Sequence, residues 1–156
     1  MIYNNIREEE LKNKVANDWF GEFDTSRIIG NIDFSVFPNK DDIFHNIPLL
    51  WAEAKTGNYD TVTMFVQLIL TIGKARTFTR MLPPAFLGAF DYQKFAFVPY
   101  NAIEDIFSIN DFNWKVTPSN HESKEFLLVK QRIESILAEN TFVFSYEKDA
   151  EALRFF

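Results

Sequence analysis

Three charged residues in two apolar segments have the types and the spacing that a hydrolytic reaction would need. Asp33 lies within Ile32-Asp33-Phe34-Ser35-Val36, and Glu53 and Lys55 end the segment Leu49-Leu50-Trp51-Ala52-Glu53-Ala54-Lys55. Each segment is predicted to be a strand. A lone acid in one strand, followed about 20 residues later by Glu-x-Lys, is the arrangement that metal-dependent hydrolysis of a phosphodiester requires.

The alternation of a strand predicts that Glu53 and Lys55 project from the same face, while Ala52 and Ala54 point the other way. A buried carboxylate needs a partner, so a structural salt bridge is the ordinary interpretation of an isolated Asp33. An ion pair between Glu53 and Lys55 is likewise open. Their place at the end of a hydrophobic strand, where α/β proteins position their sites, favours a functional role.

Each group would have a task in such a reaction. Magnesium prefers oxygen ligands, so Asp33, one oxygen of Glu53 and the backbone carbonyl of Ala54 would hold Mg²⁺, for which Mn²⁺ could substitute. The metal would polarise a phosphate oxygen and acidify a bound water. Lys55 would orient that water or help to deprotonate it, and would offset the charge that develops on the phosphate.

Two further residues are candidates for the same site. Gln67 interrupts an apolar helical segment and must satisfy its amide, either through a core hydrogen bond or by positioning Lys55, water or phosphate. Glu8 belongs to the inward stripe of the first predicted helix. It could complete the metal site, or it could be an ordinary acid favoured by the helix dipole.

A basic group follows the second predicted helix. Lys74, Arg76 and Arg80 could contact DNA phosphates without reading sequence, or could form a solvated helix end that the dipole favours. The two histidines, His45 and His121, lack the spacing of metal ligands, and neither is assigned a role.

The periodicity of apolar residues, together with capping and turn residues, predicts the helices and strands that position these residues. Helices are predicted over 8–20, over 61–77 with Asp60 as N-cap, over 102–107, and from a capping box at Ser119-x-x-Glu122 to residue 139. Strands are predicted over 27–36, 49–55, 85–90, 94–100 and 141–146. This order indicates an α/β sandwich with a mixed central sheet flanked by helices.

Composition narrows the class of protein. The 156 residues suggest one domain, and a hydrophobic share of 47% excludes a disordered chain. The lack of cysteine excludes disulfide scaffolds and thiol catalysis. No apolar run is long enough for a membrane span and the N-terminus does not resemble a signal peptide, so a cytoplasmic protein without a membrane partner is expected.

The charge and the chain terminus suggest that other parts contribute to binding. The net charge of −6 argues against strong DNA binding by this domain alone, so affinity is expected to reside in another domain or subunit. The terminal pair Phe155-Phe156 is unusual for a natural chain end. It suggests that residues 1–156 form the N-terminal domain of a longer protein.

In their order along the chain, Asp33, Glu53-Ala54-Lys55 and Gln67 resemble the PD-(D/E)xK nuclease superfamily. More narrowly, the segments 30–34, 50–55 and 67–76 look like the N-terminal nuclease region of fused bacterial restriction–modification proteins of the type IIG sort. The resemblance covers roughly residues 8–100. It departs from the motif in having Ile32 where a proline precedes the acid, a position that varies in the superfamily.

The resemblance implies a restriction-endonuclease-like three-layer sandwich and Mg²⁺-dependent cleavage of double-stranded DNA. It implies Asp33 and Glu53 as metal ligands, Lys55 as the catalytic residue and Gln67 as support, and it leaves the first-helix acid, Glu8, unassigned. Methyltransferase and target-recognition parts would lie downstream or in partner subunits, and a transient dimer would allow both strands to be cut.

Two alternatives remain at this level. The same fold could be a catalytically inactive interaction module. The chain could also be another α/β hydrolase, or hold a plain structural ion pair. That last alternative would be favoured if Asp33 lay on the sheet face opposite Glu53.

Overall fold

A five-stranded mixed sheet forms the centre of the computed structural model, which describes residues 3, 6–57 and 60–149. The strands are adjacent in chain order, β2 and β3 are parallel, and the other neighbours are antiparallel. Their bounds are β1 Phe34–Val36, β2 Leu50–Ala54, β3 Phe86–Phe90, β4 Lys94–Pro99 and β5 Phe142–Ser145. The predicted strands at 49–55, 85–90, 94–100 and 141–146 are thus confirmed to within one residue at each end.

Helices cover both faces of the sheet. They are α1 Glu8–Trp19, α2 Thr61–Ala75, α3 Tyr100–Ile103 and α4 Lys124–Asn140, with 3-10 helices at Thr77–Thr79 and Glu104–Ser108. One apolar cluster joins α1 to one face of the sheet, and a second joins α2 and α4 to the other. The predicted α/β sandwich with a mixed sheet is therefore confirmed at this level. The Phe155-Phe156 terminus lies outside the described residues.

Helix α2 is the buried helix that its apolar sequence predicts. The carboxylate of Asp60 caps it by accepting the backbone N–H of Thr63 at 3.2 Å. The helix ends two residues earlier than expected, because Arg76 adopts a left-handed conformation with φ of 52° and a 3-10 turn follows. Since α2 links two parallel strands, it must run back from the end of β2 to the beginning of β3.

The first strand is much shorter than the predicted segment 27–36, which is a correction. Gly30 has a φ of 52° and turns the chain, so no regular pairing precedes Phe34. Upstream, side chains fix the path: Arg27 forms an ion pair with Asp24 and donates to the carbonyl of His45 at 2.9 Å. Asp33 therefore lies just before β1 rather than within a strand.

The start of α4 also differs from the expectation. The N-cap is Ser123, whose hydroxyl accepts the backbone N–H of Phe126 at 3.0 Å. The predicted cap at Ser119 is wrong, because residues 117–123 form turns. The predicted short helix at 102–107 begins earlier, at Tyr100, and continues as a 3-10 helix from Glu104.

A close contact fixes the loop before α4 against α2. A side chain at Gly73 would overlap the ring of Trp114, so only glycine allows this approach. Trp114 in turn contacts Phe107, with ring centroids 5.7 Å apart. Within the described part of the chain, no helix combines the length and the apolarity needed to cross a membrane.

Candidate functional site

The pairing of β1 with β2 brings Asp33 beside Glu53. The two strands are antiparallel with Phe34 opposite Ala52, so extending the register by one residue places Asp33 opposite Glu53. Asp33 Oδ2 accepts the backbone N–H of Ala54 at 3.0 Å, which fixes the carboxylate against the end of β2. The two acids interact directly, which excludes the arrangement in which they lie on opposite faces.

Lys55 lies next to Glu53, as the two-residue spacing predicts. Its Nζ is 3.5 Å from Glu53 Oε1, and the side chains are 23% and 4% exposed respectively. The backbone N–H of Lys55 donates to the carbonyl of Phe90 at 3.0 Å, which continues the contact of β2 with β3. The ammonium is thus closer to solvent than the carboxylate.

The electrostatics of Glu53 are those of a crowded carboxyl group. Burial above all, together with the nearby charge of Asp33 and a side-chain hydrogen bond with Asp33, raises its pKa to about 8, and Lys55 opposes the shift. Without a cation, Glu53 therefore holds its proton more readily than an exposed glutamate does. A divalent cation between the two carboxylates would remove the repulsion that contributes to this shift.

Helix α1 brings a third acid toward the pair. Burial raises the pKa of Glu8, the charge of Asp33 raises it as well, and Lys55 lowers it. Such coupling requires that the first turn of α1 face the end of β2. The structure therefore gathers Glu8, Asp33, Glu53 and Lys55 into one electrostatic group, from three separate elements.

The backbone of Ala54 is oriented toward the same place. Its N–H points to Asp33, and the N–H and C=O of one strand residue face the same neighbour. The carbonyl of Ala54 is consequently directed to the side of β2 where Asp33 lies. This orientation is the one that the sequence-based ligand assignment needs.

The donor set fits a hard cation that keeps most of its water. Magnesium is commonly bound through one or two carboxylates with several waters, and two carboxylates and one carbonyl match that demand. A site with three protein acids is not formed: across residues 3, 6–57 and 60–149, no three His, Cys, Asp or Glu side chains are grouped so as to hold a metal ion. Glu8 therefore acts on the pair through its charge.

Gln67, in the middle of α2, has a side-chain partner on another element. Its Oε1 is 3.0 Å from Nε2 of His121, in the turn before α4, and the His121 ring packs on Phe126 with centroids 4.6 Å apart. The amide thus joins α2 to the start of α4, and the structure does not pair it with Lys55. His121 had no role in the sequence-based prediction, because it lacks the spacing of a metal ligand, and its contact with a residue 54 positions away carries no local signal.

The basic residues lie at the far end of α2 from the carboxylates. With 15 residues, α2 is about 22 Å long, and Lys74, Arg76 and Arg80 lie at or beyond its C-terminus. The Arg80 guanidinium donates to the carbonyl of Ala75 at 2.8 Å, and that of Arg76 lies 5.6 Å from the centroid of the Phe78 ring. These three residues do not join the site around Glu53.

Comparison with known proteins adds no relative: no protein-family model, no curated protein and no solved structure matches this chain. The geometry of the site is consequently the basis for any assignment of function.

Proposed function

We propose that this chain is a Mg²⁺-dependent endonuclease domain that hydrolyses phosphodiester bonds of double-stranded DNA. The observation that supports it best is the placement of Asp33 opposite Glu53, with the Lys55 ammonium 3.5 Å from Glu53 Oε1. The PD-(D/E)xK type of restriction-endonuclease-like sandwich is the fold that we propose within the observed α/β architecture.

The residues would divide the work as follows. Asp33, Glu53 and the carbonyl of Ala54 would hold the cation, which when bound supplies charge stabilisation and a more acidic water. Lys55 would orient the attacking water and stabilise negative charge on the phosphate. Glu8 would keep the local potential negative and so favour uptake of a divalent cation.

The charge balance bears on how DNA is held. A domain with a net charge of −6 would bind DNA weakly by itself. We therefore propose that target recognition belongs to downstream methyltransferase and target-recognition domains or to partner subunits. Contacts of Lys74, Arg76 and Arg80 would be with phosphates far from the cleaved bond, and a transient dimer would supply the second cut.

Substitution of the ammonium tests the proposal. With supercoiled plasmid and Mg²⁺, Lys55→Ala should reduce the single-turnover cleavage rate by about 10²–10⁴-fold, because the group that handles the water is lost. Lys40→Ala, at an exposed lysine in the β1–β2 loop, is the matched control and should cleave like the unaltered protein. Equal cleavage by Lys55→Ala and Lys40→Ala would refute the assignment of Lys55.

A second candidate is an inactive interaction module with the same fold. The 4% exposure of the Glu53 side chain and the lack of a three-acid metal group in the described residues favour it. Calorimetric titration with Mg²⁺ and Mn²⁺ separates the two. Saturable binding that Asp33→Asn abolishes supports the nuclease, whereas absence of binding at millimolar metal supports the module.

A further inference from the structure

A cleft on the α2–α4 side of the sheet has no part in the chemistry proposed above. Its volume is about 310 Å³, at the small end of the range for ligand pockets. Phe78, Tyr100 and Phe107 contribute aromatic walls, and Glu104 and Asp105 contribute the acidic rim. A cleft of this size suits one side chain better than a large ligand.

The aromatic walls are built as a stack. The ring centroids of Phe78 and Phe107 are 5.1 Å apart, and those of Phe107 and Tyr100 are 6.0 Å apart with nearly parallel planes. Phe78 and Phe107 are half-buried, so part of each ring faces the cleft. Ring faces carry negative potential, which attracts cations and flat cationic groups in particular.

The rim adds full charges of the same sign. Glu104 and Asp105 are exposed at the start of the 3-10 helix that follows α3. Tyr100 and Glu104 both line the cleft, so this carboxylate lies close to the aromatic wall. Burial above all, together with the Glu104 charge, raises the pKa of Tyr100 to about 12. A ligand that enters the cleft therefore meets aromatic side chains and two carboxylates together.

The chain already places one guanidinium beside the stack. The guanidinium carbon of Arg76 lies 5.6 Å from the centroid of Phe78, at one end of the stack. A guanidinium is planar, weakly hydrated and able to pair with a carboxylate through two hydrogen bonds, whereas an ammonium is compact and strongly hydrated. Stacked rings beside carboxylates therefore match arginine better than lysine.

We infer that this cleft binds the guanidinium group of an arginine side chain presented by a partner polypeptide. A residue within a chain presents the guanidinium without the charged α-ammonium and α-carboxylate that the free amino acid carries. The inference is independent of the proposed nuclease activity, since neither metal nor DNA takes part in this binding.

The test is a titration of the whole chain with N-acetyl-L-argininamide, followed by NMR. We expect saturable shifts of the ring signals of Phe78, Tyr100 and Phe107, with a dissociation constant in the millimolar range because one side chain supplies all the contacts. The lysine amide and the uncharged citrulline amide should each bind at least about fivefold more weakly. Equal binding by either of these two amides would overturn the inference.

Charge-neutral variants locate the binding. Glu104→Gln combined with Asp105→Asn should weaken the binding of N-acetyl-L-argininamide by about fivefold or more, because both rim charges are lost. Glu10→Gln combined with Glu22→Gln is the matched control, since both residues are exposed, belong to or follow α1, and change the net charge equally. Circular dichroism verifies that all variants are folded. An equal loss in both pairs would show general charge attraction and would refute the site.

Discussion

Glu53 and Asp91 are two buried acids at the ends of parallel neighbouring strands, and each has a lysine beside it. Asp91 follows β3 and accepts the backbone N–H groups of Gln93 and Lys94 at 2.9 and 3.0 Å. Its other oxygen accepts from Lys94 Nζ at 2.6 Å. Both oxygens of that carboxylate therefore have hydrogen-bond donors, and the residue is fully buried. Asp91 therefore has the features of a turn-forming structural ion pair.

Glu53 is buried as well, but its carboxylate is not held by close donors in the way that the carboxylate of Asp91 is. Its lysine is 3.5 Å away rather than 2.6 Å, and a second carboxylate, Asp33, lies against it. Burial beside a lysine is thus no mark of function by itself. What distinguishes Glu53 is that two acids crowd one position, an arrangement that costs stability in the absence of a cation. The following substitutions break or sharpen this comparison.

The largest effect is expected from Glu53→Gln. The substitution keeps the shape and removes the charge that would hold the cation, so DNA cleavage in Mg²⁺ should fall by about 10³-fold or more. Single-turnover rates measured at equal concentrations of folded protein provide the value. Undiminished cleavage would place Glu53 with Asp91 among the structural acids.

Asp91→Asn should act on stability instead. The Lys94 ammonium would lose its anion, and the free energy of unfolding should fall by about 2 kcal/mol, less than for a fully buried pair because Lys94 keeps part of its hydration. Urea denaturation measures this change. Cleavage per folded molecule should remain as in the unaltered protein, and a selective loss of cleavage would contradict the comparison.

The pH dependence of stability separates the two acids in a third way. Because the pKa of Glu53 is about 8 in the folded chain and 4.5 in a model compound, the folded state binds the extra proton between these values. In chelator, stability should therefore be full below about pH 4.5 and fall by about 1–3 kcal/mol as the pH rises through 8.

Two controls accompany that measurement. Glu53→Gln should remove this slope, since the titrating group is gone, and saturating Mg²⁺ should restore stability at high pH. A slope that survives in Glu53→Gln would assign the titration to other groups.

The smallest effect concerns Gln67. His121→Ala removes the partner of its amide, which should cost about 0.5–1.5 kcal/mol in urea denaturation and leave the cleavage rate within a few-fold of the original. Gln67 would then count as a structural amide, as Asp91 counts as a structural acid. A loss of cleavage comparable to that of Lys55→Ala would return Gln67 to the active site.

The sequence predicts those parts of the fold that local rules determine. Strand β2 and helix α2 are long apolar runs with clear ends, and the Asp60 cap is a local hydrogen bond, so these predictions are confirmed. The segment before Phe34 follows distant side-chain contacts of Arg27, which no periodicity reveals. The capping box at Ser119 is a local pattern, and the tertiary path of the chain places the cap at Ser123 instead.

Of the contacts in and near the candidate site, some could likewise be predicted from the sequence and others could not. The common face of Glu53 and Lys55 follows from strand geometry, and the approach of Asp33 follows once two strands are paired side by side. The pairing of Gln67 with His121 depends on how α4 packs against α2, and sequence spacing carries no information about that contact.

Gly73, a buried position of α2, affects the shape of the acidic aromatic cleft on the surface. Any side chain there would displace Trp114, and Trp114 rests on Phe107, which forms a wall of the acidic aromatic cleft. A missense change at Gly73 would therefore propagate along a chain of touching rings and alter the shape of that cleft. Because Gly73 has no side chain, it leaves the room that the Trp114 ring needs and so keeps the neighbouring rings in their positions.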